Sequence, residues 1–81
     1  MNRTFTETAR RTQIVAAAID TIAELGYGRA SLARIADTAG TGKSVILYHF
    51  SGKDDLIREL VADLARYARE FADLFDLAIR P

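Results

Sequence analysis

Cysteine is absent from the 81 residues, and histidine occurs once. Without thiols there are no disulfides and no thiolate metal sites, and one imidazole is too few for a structural zinc centre. Apolar runs are only a few residues long, far short of a membrane span. The N-terminal "MNRTFTETARR" is polar and lacks the apolar core of a signal peptide. The expected location is the cytoplasm. No Val/Ile-rich run suits the buried strands of a parallel sheet. No paired acid and base, nucleophile or metal cluster stands out, so neither enzymatic activity nor a cofactor is expected.

Net charge is also lacking, but its distribution is uneven. Residues 1–53 carry seven basic and four acidic side chains, a net +3. Residues 54–81 carry four basic and seven acidic ones, a net −3. A basic half beside an acidic half suits a chain that meets nucleic acid at one end. At this length one domain is the limit.

What is present is helical periodicity. Ile14, Ala18, Ile19 and Ile22 recur at helical spacing between about Thr8 and Leu25, with Ala17 and Ala23 as small packing residues. Gly26 suits a left-handed C-terminal cap, against which Tyr27 can fold back, and "GYGRAS" reads as a loop. Ser31 is a good N-cap for a two-turn helix that puts Leu32, Ile35, Ala36 and Ala39 on one side. A third short helix runs from Gly42 or Lys43 to His49. Ser51 and Asp54 have the spacing of a capping box for a fourth. Its apolar stripe takes in Leu56, Ile57, Leu60, Val61, Leu64, Ala68, Phe71 and Phe75, with Pro81 beyond its end.

"AGTGKS", residues 39–44, admits two readings. A phosphate-binding loop needs a glycine five residues before Gly42, where Asp37 stands, and a strand before it, where an amphipathic helix stands. A helix-turn-helix needs a large apolar residue and small ones on its first helix, which Ile35, Ala36 and Ala39 supply. It needs a sharp bend, which Gly40 allows. It needs a second helix anchored inward by a few residues, here Ile46 and Phe50, with Lys43, Ser44, Leu47 and Val45 left nearer the DNA. The second reading is adopted.

On these residues the chain resembles the tetracycline-repressor (TetR) family of bacterial transcriptional regulators. The resemblance covers roughly residues 10–60. It rests on Gly26-Tyr27, Ala30-Ser31, Ile35-Ala36, Ala39-Gly40, Tyr48-His49-Phe50, and Lys53 with Asp55-Leu56. Where the family usually has valine, serine, glycine and tyrosine, this chain has Thr41, Gly42, Ser44 and Leu47. The implied fold is all-α: a three-helix, homeodomain-like helix-turn-helix domain over residues 8–56, with its motif at 31–50. A long connecting helix, 57–81, leads towards a C-terminal regulatory and dimerisation domain.

The implied function is sequence-specific binding of double-stranded DNA at a palindromic operator, by a repressor that a small-molecule inducer releases. A homodimer through C-terminal helices is the expected assembly. Lys43, at the start of the recognition helix, can donate to guanine edges or to a phosphate. Ser44 and Val45 stand where the family reads bases, and Val45 either touches a thymine methyl or packs. By resemblance the helix start at Ser31 lies against a phosphate, as does Lys53, and His49 is either a phosphate contact or a partly buried hydrogen-bonding histidine. Tyr48 is either a phosphate contact or an anchor against the first helix. Arg10 and Arg11 either reach phosphates or are solvated. The alternative function is a helical protein-interaction module using the apolar stripe of residues 56–79.

Overall fold

A computed structural model of the protein describes residues 5–80. Pro81 and the first four residues of the polar N-terminal stretch lie outside the described residues. The described chain forms four α-helices: α1 (Phe5–Leu25), α2 (Leu32–Ala39), α3 (Lys43–His49) and α4 (Lys53–Ile79). A single 3₁₀ turn at Tyr27–Arg29 occupies part of the stretch expected to be loop. Among the described residues, helix α1 begins at Phe5, three residues before the expected Thr8.

The core is where α1, α2, α3 and the first two turns of α4 meet. Ile14, Ala18, Ile35, Ile46, Phe50 and Leu56 are its most enclosed members. Ala17, Ala36 and Ala39 let the helices approach closely, and Ile22, Leu32 and Ile57 pack on the edge. Ile19 was expected on the inward face but is exposed, as is Ala23. Val15 and Thr21 are buried instead. Over a 21-residue helix the inward stripe therefore runs through positions 11, 14, 15, 18 and 21. Thr21 satisfies its hydroxyl by donating to the Ala17 carbonyl at 2.7 Å, and it also meets the Thr38 hydroxyl at 2.9 Å.

Each helix boundary has a local cause. Gly26 ends α1 with φ 84° and ψ 160°. The φ is positive as expected, but the ψ is extended rather than left-handed helical, so the chain leaves α1 instead of curling over it. Tyr27 accordingly does not serve as a lid on that helix end; it is half exposed and lies beneath Lys53. Ser31 caps α2, its hydroxyl accepting from the Arg34 N–H at 3.2 Å. At α4 the expected partnership of Ser51 with Asp54 is replaced. The Ser51 N–H donates to the Asp55 carboxylate at 2.9 Å, and Gly52 holds the N-cap position. Asp55 reaches back one residue further than a capping box because the chain enters α4 through an extended Gly52 (φ 171°).

Beyond Leu60, α4 leaves the core. Helix α4 is 27 residues long, about 40 Å at 1.5 Å per residue, and the described chain measures 51 × 33 × 20 Å. Val61, Leu64, Tyr67, Phe71, Leu74, Phe75, Leu77 and Ile79 are all exposed.

Candidate nucleic-acid interface

The bend between α2 and α3 is built by backbone bonds. Gly40 adopts φ 71° and ψ 32°, the left-handed conformation that costs glycine nothing. Its N–H donates to the Asp37 carbonyl at 3.1 Å, and the Thr41 N–H donates to the Ala36 carbonyl at 3.0 Å. This pair of bonds is a Schellman termination. From α1, the Gln13 side-chain amide donates to the Ala39 carbonyl at 3.0 Å. Helix α2 therefore ends at a fixed point, and α3 starts after three intervening residues, 40–42.

Two side chains clamp α3. Ile46 and Phe50, four residues apart, are fully enclosed, which turns the opposite side of α3 to solvent. Lys43 and Ser44 are exposed in its first turn, and Leu47 and Tyr48 are exposed beyond them. Val45 is half-buried at the edge. Tyr48 is 76% exposed, so it does not anchor α3 against α1. Its ring meets the His49 ring edge-on, with centroids 5.0 Å apart and planes at 89°. His49 is half-buried at the last turn of α3. Gly42 caps the helix without a side-chain bond, so the α3 N-terminus keeps open N–H groups.

Arg11 takes neither role expected of it. It is 8% exposed and inaccessible to a phosphate. Its guanidinium lies 4.3 Å from the Phe50 ring centroid, donates to the His49 carbonyl and pairs with the Glu59 carboxylate on α4. Arg11 thereby fastens the C-terminal end of α3 to both flanking helices. Nothing in the one-dimensional pattern marks this, because an arginine beside a second arginine on α1 reads as polar surface.

The remaining expected residues sit on other elements. Ser31 caps the start of α2, separated from the bend by the eight residues of that helix, about 12 Å. Lys53 is the first residue of α4 and is half-buried. Its ammonium donates to the Tyr27 carbonyl at 2.7 Å and lies 4.1 Å from the Tyr27 ring centroid. The start of α4 is thus tied to the turn that leads into Ser31. Tyr27 is the residue of this group that sequence reasoning missed, since only the folded chain brings positions 27 and 53 together. Among the described residues no group of three or more His, Cys, Asp or Glu side chains is arranged to hold a metal, and no helix is long and apolar enough to cross a membrane.

A short helix, a glycine bend and a clamped second helix with an exposed outer face define a helix-turn-helix domain, the type with which bacterial regulators bind DNA. Comparison with known proteins agrees. Residues 14–60 match the family model for bacterial regulatory proteins of the tetR family. The HTH-type transcriptional regulator BetI 1 of Chromohalobacter salexigens is 39% identical over 59 residues, covering 68% of this chain and 29% of that protein. BetI of Stenotrophomonas maltophilia is 35% identical over 75 residues, covering 83% of this chain and 38% of that protein. BetI of Pseudomonas aeruginosa is 34% identical over 65 residues, covering 75% of this chain and 33% of that protein. No solved structure matches significantly. The chain belongs to the tetR family, whose members are DNA-binding transcriptional regulators and not enzymes. It spans 29% to 38% of the length of these relatives.

Proposed function

We propose that the chain is the DNA-reading part of a transcriptional repressor and that α3 enters the major groove. The observation that carries this reading is the division of α3 into a buried edge, Ile46 and Phe50, and an exposed face of Lys43, Ser44, Leu47 and Tyr48. Lys43 donates to a guanine edge or a phosphate, Ser44 and Val45 meet bases, and Leu47 offers apolar contact to a thymine methyl. Tyr48, His49, Lys53 and the start of α2 at Ser31 hold the phosphate backbone on either side. Residues 8–56 form this domain, with the motif at 31–50.

Residues 57–81 lead, in this reading, to a C-terminal domain that binds a small-molecule inducer. The exposed apolar end of α4 supports such a continuation, and it supports pairing of two copies as a homodimer. Two copies place two recognition helices on a palindrome.

Selection of bound duplexes from a random pool at moderate salt tests the reading. The expected product is a palindromic sequence whose affinity falls steeply as salt rises, and Lys43→Ala with Lys53→Ala is expected to abolish capture. If the α4 stripe instead makes the chain a protein-interaction module, no duplex is enriched and salt has little effect.

A further inference from the structure

We infer that Tyr27 is a positioning residue for DNA binding: its ring and carbonyl hold the Lys53 ammonium where a backbone phosphate is met. The inference rests on the phosphate contact proposed for Lys53. Three observations carry it. First, Lys53 occupies the first position of α4, where the helix macrodipole disfavours a cation. Asp54 and Asp55 follow the local rule there, whereas Lys53 breaks it. A locally unfavourable charge held in place by other contacts is the pattern expected at a functional position.

Second, those contacts are specific. The ammonium is 2.7 Å from the Tyr27 carbonyl and 4.1 Å from the ring centroid. The same carbonyl accepts from the Ala30 N–H at 3.2 Å, so the 3₁₀ turn fixes its direction. Third, the ammonium has three donors and the Tyr27 carbonyl takes only one, which leaves donor capacity for a phosphate oxygen. The turn that supplies the carbonyl runs directly into Ser31 and the α2 N-terminus, itself an anion-favouring feature. Lysine has a flexible four-carbon stem. Holding it beforehand removes the ordering cost that DNA would otherwise impose on binding.

The test measures affinity of the 81-residue chain for a random-sequence duplex by fluorescence anisotropy across a salt series. A phosphate contact is sequence-independent, so no operator is needed. Lys53→Ala is expected to weaken binding and to flatten the dependence of log affinity on log salt by about 0.9, one phosphate contact. Tyr27→Ala keeps the backbone carbonyl but removes the ring, and is expected to weaken binding about two- to five-fold, the range for one exposed cation–π contact. Tyr27→Phe retains the ring and the carbonyl and is expected to bind like the parent. In the Lys53→Ala background, Tyr27→Ala is expected to have no further effect. Thermal unfolding of each variant separates a folding defect from a binding one. If Lys53→Ala leaves affinity and salt dependence unchanged, the phosphate contact itself is wrong. If Lys53→Ala weakens binding but Tyr27→Ala leaves it equal or stronger, or acts equally without Lys53, the positioning role is overturned.

Discussion

Arg11 and Glu59 form an ion pair across the helical domain, linking positions 48 residues apart in sequence. The guanidinium also donates to the His49 carbonyl and covers the Phe50 ring. One side chain therefore closes the end of α3 against α1 and α4. Arg11→Ala leaves a carboxylate and a carbonyl without this donor and opens a gap over Phe50. The expected loss is about 2–3 kcal/mol, a large part of the few kcal/mol available to a domain this small. Glu59→Gln keeps a hydrogen-bonding partner and is expected to lose about 1 kcal/mol. Urea unfolding of both single variants and the double variant checks this, and the double is expected to lose less than the sum of the singles.

Gly26 and Gly40 both have positive φ, yet they are expected to tolerate side chains differently. Gly40 is left-handed helical at φ 71°, and an added Cβ meets nothing within 4 Å. Gly40→Ala is expected to cost about 1–2 kcal/mol, and Gly40→Asn less, because asparagine visits this region. Gly26, at φ 84° and ψ 160°, lies in a region open almost only to glycine. Gly26→Ala and Gly26→Asn are both expected to cost about 2–3 kcal/mol. Thermal melts of the four variants give the ranking.

Phe50 and Tyr48 are two residues apart and face opposite ways. Phe50→Ala removes an enclosed ring and is expected to cost about 3 kcal/mol or more, leaving the domain largely unfolded. Tyr48→Ala removes an exposed ring, so its unfolding free energy is expected to stay within about 0.5 kcal/mol of the parent. Its affinity for duplex DNA is expected to fall all the same. Circular dichroism melts and anisotropy on one protein preparation separate the two effects.

The distal part of α4 contributes little to the fold of this chain. Phe71→Ser with Phe75→Ser is expected to leave the unfolding midpoint almost unchanged, since both rings are exposed. The same change is expected to abolish any concentration-dependent association, which sedimentation velocity over a dilution series measures.

The helices and the bend were legible because short-range chemistry fixes them. Ser31 caps the next helix, Gly40 takes the one conformation the turn requires, and Ile35, Ala36, Ile46 and Phe50 repeat at helical spacing. The exposed set on α3 follows from the same arithmetic once Ile46 and Phe50 are placed inward. What was not legible depends on tertiary proximity. Arg11 is buried only because Glu59, His49 and Phe50 arrive around it. Tyr27 meets Lys53 only because α4 returns past the first turn. Ile19 has an apolar side chain at a helical spacing, but the packed edge of a small core is narrower than the stripe. Asp55 in place of Asp54 reflects the extended Gly52, a backbone detail that a spacing rule does not carry.

The most direct measurement of which surface meets the double helix is a titration of the isotope-labelled chain with a duplex recovered from the random pool, followed by amide chemical-shift changes. The account predicts the largest changes at residues 43–49, with further ones at the starts of α2 and α4 near Ser31 and Lys53. Changes confined to the exposed face of α4 between Val61 and Ile79, with α3 unaffected, would contradict it.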